Sequence, residues 1–125
     1  MYRVTIIKSF AAAHFLRNYR GSCENLHGHN WKVEVFARGA ELDATHLLID
    51  YRELKGATQQ IVDRLDHRLI NEIPPFVEQW NPSSEMLCRY FHEEIFKIMG
   101  PKAKILEKIR IWETDTSYAE YWPGE

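Results

Sequence analysis

Cys23-Glu24-Asn25-Leu26-His27-Gly28-His29 runs straight into Asn30-Trp31-Lys32-Val33-Glu34-Val35, and the fold is decided in this stretch. From Trp31 to Arg38 apolar and polar residues alternate, with Trp31, Val33 and Val35 opposite Lys32 and Glu34. That is the period of a half-buried strand. His27 and His29 share the parity of Trp31, so both imidazoles continue the strand's inward face. Gly28 between them crowds nothing on the other face and lets a backbone or ligand come close. Two imidazoles on one face make a chelating pair suited to zinc, copper, iron or nickel. The bland alternative is a tight turn carrying two surface histidines. A catalytic zinc takes three protein ligands and keeps a position open, so a third donor must come from elsewhere. His14 is the candidate, because it follows Phe10-Ala11-Ala12-Ala13, whose small side chains allow close packing. Cys23, a thiol just upstream, strengthens the metal reading.

Outward from this stretch, Met1 to Phe10 also alternates and predicts a first strand, with Tyr2, Val4 and Ile6 on one face. Residues 15–25 are polar, contain Gly21 and predict a loop that carries Cys23 towards the histidines. Arg38-Gly39 ends the second strand. Asp50 followed by Glu53 resembles a capping box, and Leu54, Ala57, Ile61, Val62 and Leu65 then form one apolar helical face. Asp66-His67 follows at once; such a carboxylate can fix an imidazole's tautomer, or the pair is simply a solvated helix end. After the Pro74-Pro75 loop, Asn81-Pro82-Ser83-Ser84-Glu85 signals a helix start with Ser83 as N-cap. Leu87, Tyr90, Phe91, Ile95 and Ile98 form its stripe, and Gly100-Pro101 stops it. Cys88 and His92 on this helix read as a core thiol beside a surface histidine rather than a metal pair. Ile105 to Thr114 predicts a third strand in which Glu113 shares the parity of Ile109 and Ile111. An inward carboxylate there needs a partner, either a structural arginine or a ligand offering paired N–H donors. Ser117 to Trp122 predicts a fourth strand, reached by a hairpin. The order β-β-α-α-β-β argues an α+β domain, residues 1–125, with an antiparallel sheet.

Composition narrows the function classes. With 16 basic against 18 acidic residues the formal net charge is −2, and no basic patch stands out for nucleic acid. Two cysteines cannot make a disulfide framework, so a reduced setting is expected. The N-terminus begins with strand-like alternation and shows neither a signal-type apolar core nor a membrane-length stretch. A soluble, cytoplasmic protein without a membrane partner is the expectation.

Taken together, these motifs resemble the 6-pyruvoyltetrahydropterin synthase and 6-carboxytetrahydropterin synthase family. The resemblance spans nearly the whole chain. It rests on Phe10-Ala11-Ala12-Ala13-His14, Cys23-x-x-x-His27-Gly28-His29, Ile49-Asp50-Tyr51-x-Glu53-Leu54, Leu65-Asp66-His67, Asn81-Pro82-Ser83-Ser84-Glu85 and Glu113-Thr114. It implies the tunnelling fold, in which two helices pack on one face of a four-stranded antiparallel sheet. It also implies a homohexamer built as a dimer of trimers, with active sites at subunit interfaces. By the same resemblance His14, His27 and His29 are zinc ligands, Cys23 is the catalytic thiol acting with Asp66 and His67, and Glu113 anchors the pterin ring. The implied substrate is 7,8-dihydroneopterin triphosphate. The three-residue gap between Cys23 and His27 is similar to the carboxy branch, which serves queuosine and other deazapurine pathways and releases acetaldehyde. The pyruvoyl branch, which eliminates triphosphate, is the alternative. Glu24 follows Cys23, and some relatives place a glutamate in this loop as the working base, so its role stays open. Non-catalytic rivals are a pterin-binding scaffold and a closed structural site in which Cys23 joins the three histidines.

Overall fold

The computed structural model describes residues 1–19, 21 and 24–124. Two long strands form its centre, β1 (Tyr2–His14) and β2 (His27–Gly39), paired antiparallel along their whole length. Helix α1 (Tyr51–Leu65) follows, then a two-residue strand β3 (Arg68–Leu69), helix α2 (Ser84–Met99), β4 (Leu106–Thr114) and β5 (Ser117–Tyr121). The sheet order is β3-β1-β2-β4-β5. The α+β class, the two helices and the four antiparallel strands are as the sequence predicts. The sheet has a fifth, parallel member, because Arg68 and Leu69 pair with Ala12 and Ala13. Two residues carry no readable alternation, which is why periodicity missed them. β1 also runs on to His14 instead of ending at Phe10, since Ala11 to Ala13 are paired with Gly28 to Asn30.

Alternation sorts the strands as expected. Ile6, Phe10, Ala12, Trp31, Val33, Val35, Ile109 and Ile111 are buried against Leu54, Ile61 and Leu65 of α1 and Leu87, Phe91 and Ile95 of α2. Fully burying each large side chain of this set is worth about 1.5–3 kcal/mol. Trp31 is fully buried, stacks on Phe10 with ring centroids 6.1 Å apart, and donates its indole N–H to Ala12 O at 3.2 Å. No helix among the described residues is long and apolar enough to cross a membrane.

Helix starts and stops are set locally. Asp50 Oδ1 accepts from Arg52 N at 2.8 Å and Ser83 Oγ from Met86 N at 3.2 Å, each cap worth about 1 kcal/mol. The expected capping box is only half formed: the Glu53 carboxylate accepts from Lys102 Nζ at 2.8 Å instead of turning back to the cap. Gly100, at φ 60°, ends α2.

His92 corrects the expectation of a surface histidine. It is 3% exposed, lying edge-on to Tyr121 at 5.4 Å and alongside Phe96 at 6.3 Å. The helical stripe at this turn is wider than the aliphatic residues suggest, and β5 closes over it. Its Nε2 is buried without a partner among the described residues. Burial pushes its pKa below the ordinary histidine value, against the opposing pull of a backbone hydrogen bond at Glu107 and the Glu93 charge. A depressed folded pKa means that the native state holds the neutral ring. The associated stability is complete above the unfolded value near 6.5 and is lost as pH falls below it. Thermal unfolding scanned from about pH 7.5 to about pH 5 should therefore show a loss from this group of at most about 1.4 kcal/mol per pH unit. His92→Phe should flatten that acid limb. Parallel pH profiles for the two proteins would exclude His92 as its source.

Candidate metal centre and active site

The β1–β2 register builds the centre. His14 pairs with His27, and Ala12 with His29, so the three histidines fall on the inward face of two adjacent strands. Directly opposed side chains have Cβ atoms about 4.5–5.5 Å apart, and diagonal ones are still within reach. The ring centroids are accordingly close: His14 lies 4.5 Å from His27 and 5.2 Å from His29, and His27 lies 4.8 Å from His29. Trp31 forms the wall behind, edge-on to His14 at 4.9 Å and to His29 at 5.2 Å. A turn with two surface histidines is thereby ruled out: His27 and His29 both stand on β2 and both are half-buried.

Glu113 is the fourth member. β2 pairs with β4 through Lys32 and Trp112, which brings the next residue of β4 alongside Trp31. Glu113 Oε1 lies 3.2 Å from both His14 Nε2 and His29 Nε2. Within the chain its partners are thus imidazoles rather than an arginine. Arg110, the nearby arginine of β4, has the opposite parity and pairs with Glu34 and Glu120 on the outer face. The contact with His14 and the neighbouring imidazoles hold the Glu113 carboxyl below its usual range, against burial. Glu113 also lines a pocket of about 380 Å³ with Ser84, Glu85, Ser117 and Tyr118. From the sequence, Ser84 and Glu85 belong to the helix-start motif, with no site role of their own. Their offset from Ser83 at the first turn of α2, which abuts β4, is the signal that could have found them.

The donor set fits a divalent cation. His14 Nδ1 donates to Pro82 O at 2.7 Å and His27 Nδ1 donates to Asn25 O at 2.6 Å. Each bond fixes the tautomer and leaves an Nε2 lone pair, and those two nitrogens face one another at 3.0 Å. His29 Nε2 is buried and has no hydrogen bond among the described residues, although Glu113 Oε1 is near. Burial pushes the His29 imidazole below its ordinary pKa, which favours the neutral, ligating form. One nitrogen from each histidine and one oxygen from Glu113 all lie within 4.8 Å of one another. Electron pairs converging like this are satisfied by protons or by one metal ion, and imidazole suits zinc among others.

Asp66 and His67 lie apart from this group, on the β3 side of β1. Asp66 Oδ1 accepts from Ala11 N at 2.9 Å, and Oδ2 lies 3.0 Å from His67 Nδ1. The Ala11 bond, ahead of the His67 contact, holds the Asp66 carboxyl below its usual range. His67, at φ 60°, donates its N–H to Ala11 O at 2.6 Å, and its side chain is 82% exposed. It shares a shallow depression with Ala11, Ala13, Gly28 and Arg68. Gly28 is not sterically required there, since a Cβ would meet only Ala12 O at an ordinary 3.7 Å. Cys23 lies outside the described residues. Cys88 is no substitute: it is buried, donates to Ala119 O at 3.2 Å, and burial pushes its thiol up to about 12.

Comparison with known proteins adds the family. Residues 3–124 match the model of the family described as 6-pyruvoyl tetrahydropterin synthase. The chain is similar to the 6-carboxy-5,6,7,8-tetrahydropterin synthase of Haemophilus influenzae, 29% identical, with 97% of this chain and 99% of the relative covered. It is also similar to the 6-pyruvoyl tetrahydrobiopterin synthase of Poecilia reticulata, 30% identical, covering 94% and 88%. The solved 6-pyruvoyl tetrahydropterin synthase of Caenorhabditis elegans superposes with a TM-score of 0.86 at 29% identity, covering 99% of this chain and 98% of that one. With this fold, these paired strands and this match over almost its whole length, the chain belongs to the 6-pyruvoyl tetrahydropterin synthase family.

Proposed function

We propose that this protein is a zinc-dependent lyase acting on 7,8-dihydroneopterin triphosphate. With one water consumed, the products are 6-carboxy-5,6,7,8-tetrahydropterin, acetaldehyde and triphosphate, on the route to queuosine and related 7-deazapurines. The observation that carries the reading is the convergence of His14, His27 and His29 next to a Cys-x-x-x-His-Gly-His spacing. Bound zinc supplies Lewis acidity to the substrate's side-chain hydroxyls. Cys23 as thiolate and His67 as acid–base group move protons along that side chain, with Asp66 orienting His67. Glu113 receives the paired N–H donors of the pterin edge from the pocket it lines with Ser84 and Glu85. The exposed position of His67, away from its own chain's histidines, supports assembly into a homohexamer whose sites are shared between subunits. The pyruvoyl activity is the second reading, because relatives named for both products match this chain.

Incubation with 7,8-dihydroneopterin triphosphate tests the proposal directly. Acetaldehyde with a carboxylated pterin is expected. A retained three-carbon side chain moves the assignment to the pyruvoyl activity, and an unchanged substrate rejects both.

Two substitutions divide the roles. His27→Ala should strip most bound zinc, measured by elemental analysis, and abolish turnover while the chain stays folded. Full zinc content in that protein rejects the ligand assignment. Glu113→Gln separates pterin anchor from metal ligand. As an anchor, it leaves a buried donor facing a donor at a cost of about 1–3 kcal/mol, so substrate affinity falls about tenfold with zinc retained. Loss of zinc instead would make Glu113 a fourth ligand.

Alkylation tests the thiol. Iodoacetamide should modify Cys23 faster than the buried Cys88, and Cys23→Ala should keep zinc but lose turnover by orders of magnitude. Zinc lost together with the thiol would indicate a closed structural site.

A further inference from the structure

We infer that Asn71 and Asn81 are positioning residues for His14, acting through the main chain that follows it. The inference rests on the metal-centre reading of the three histidines. Asn71 is 5% exposed; its Oδ1 accepts from Phe15 N at 3.0 Å and its Nδ2 donates to Phe15 O at 3.0 Å. β3 pairs with β1 only at Ala12 and Ala13, so beyond His14 the ladder has ended. A side-chain amide takes the place of the missing strand, bonding both the donor and the acceptor of the residue next to the ligand.

The same device recurs two residues on. Asn81 Oδ1 accepts from Arg17 N at 2.8 Å, and Nδ2 donates to Arg17 O at 2.9 Å. The residue after Asn81 is Pro82, whose carbonyl takes the His14 Nδ1–H. Asn81 therefore ties the acceptor of the ring to the strand that carries the ring. The Arg17 guanidinium locks the arrangement from beneath, donating to Phe76 O at 2.6 Å and to Asn71 O at 3.4 Å. Without these bonds the His14 main chain and its carbonyl partner can shift relative to each other, and the Nε2 lone pair loses its aim. Losing an outer partner of a ligating histidine typically weakens metal binding about 10–100-fold.

The test compares the parent with Asn71→Ala, Asn81→Ala, Asn81→Asp and a core control in α1, Thr58→Val. Each metal-free protein is titrated with Zn²⁺ against a chromophoric chelator, at a temperature where circular dichroism shows it folded. Each is also loaded with Co²⁺ to read ligand geometry from its visible bands. Asn71→Ala should bind zinc about 10–100-fold more weakly than the parent, and Asn81→Ala should be weaker by about tenfold. Asn81→Asp, which keeps the acceptor for Arg17 N, should fall between Asn81→Ala and the parent. The Co²⁺ bands should move in both alanine variants but not in Thr58→Val, which should bind like the parent. Should Asn71→Ala fail to fold, the exposed Asn81 pair carries the test. Parent-like affinity and spectra in the asparagine variants overturn the positioning role and leave the metal centre standing. Equal weakening in Thr58→Val also overturns it, because affinity then follows global stability. A parent that binds no zinc removes the metal centre and this inference with it.

Discussion

The antiparallel register that sets His14 against His27 is the constraint on which the site depends. Side chains in a strand alternate with a period of two, so a slip of one residue would turn the set over. His14 would move to the outer face, and Phe10 and Ala12 would leave the core with it. The register is fixed because the same parity serves both purposes. Ile6, Phe10 and Ala12 precede His14 on β1, and Trp31, Val33 and Val35 follow His29 on β2. The hydrophobic burial that holds the sheet together also selects the one alignment that gathers the imidazoles. Trp31 joins the two, being fully buried core on one side and edge-on to two of the histidines on the other.

A second layer converts proximity into ligand quality. The Nδ1 bonds to Pro82 O and Asn25 O come from segments far apart in sequence, and each removes the ambiguity of which ring nitrogen is free. Both acceptors are main-chain carbonyls, whose chemistry does not depend on the side chain at that position. Glu113 adds negative charge to the group, and its depressed pKa reflects the same convergence seen from the carboxylate side. The centre thus combines three imidazoles, ligands suited to zinc among other metals, with a partly buried carboxylate that offsets a cation's charge.

Much of this was legible in the sequence, for a physical reason. Strand parity and helix caps are local properties, so the inward histidines, the inward Glu113, Ser83 at its N-cap and the β-β-α-α-β-β order could be read from spacing. What could not be read depends on neighbours distant in the chain. Glu53 has capping-box spacing but meets Lys102, which offers a stronger, charged partner. His92 looks like a surface residue until β5 covers it. The partner of Glu113 follows from which strand lies beside β4, and the role of Asn71 from where β3 stops. The location of Ser84 and Glu85 beside Glu113 likewise needs the helix docked on the sheet.

Asp66 and His67 show how an exposed group can still be held in place. A histidine in the left-handed region is uncommon and costs of order 1–3 kcal/mol unless its surroundings over-determine it. Here three bonds do so within two residues. Asp66 Oδ1 takes the Ala11 N–H, the Ala11 carbonyl takes the His67 N–H, and Asp66 Oδ2 meets the ring. The edge of β1 therefore serves as the template for this turn, and β3 begins at the very next residue. A solvated helix end would need none of these bonds. An imidazole fixed at one nitrogen by a carboxylate and presented to the outside at the other is suited to exchanging a proton with something that approaches from beyond the chain. The strain is thus tied to the same strand that carries His14, so the Asp66–His67 pair and the histidine cluster share one rigid support.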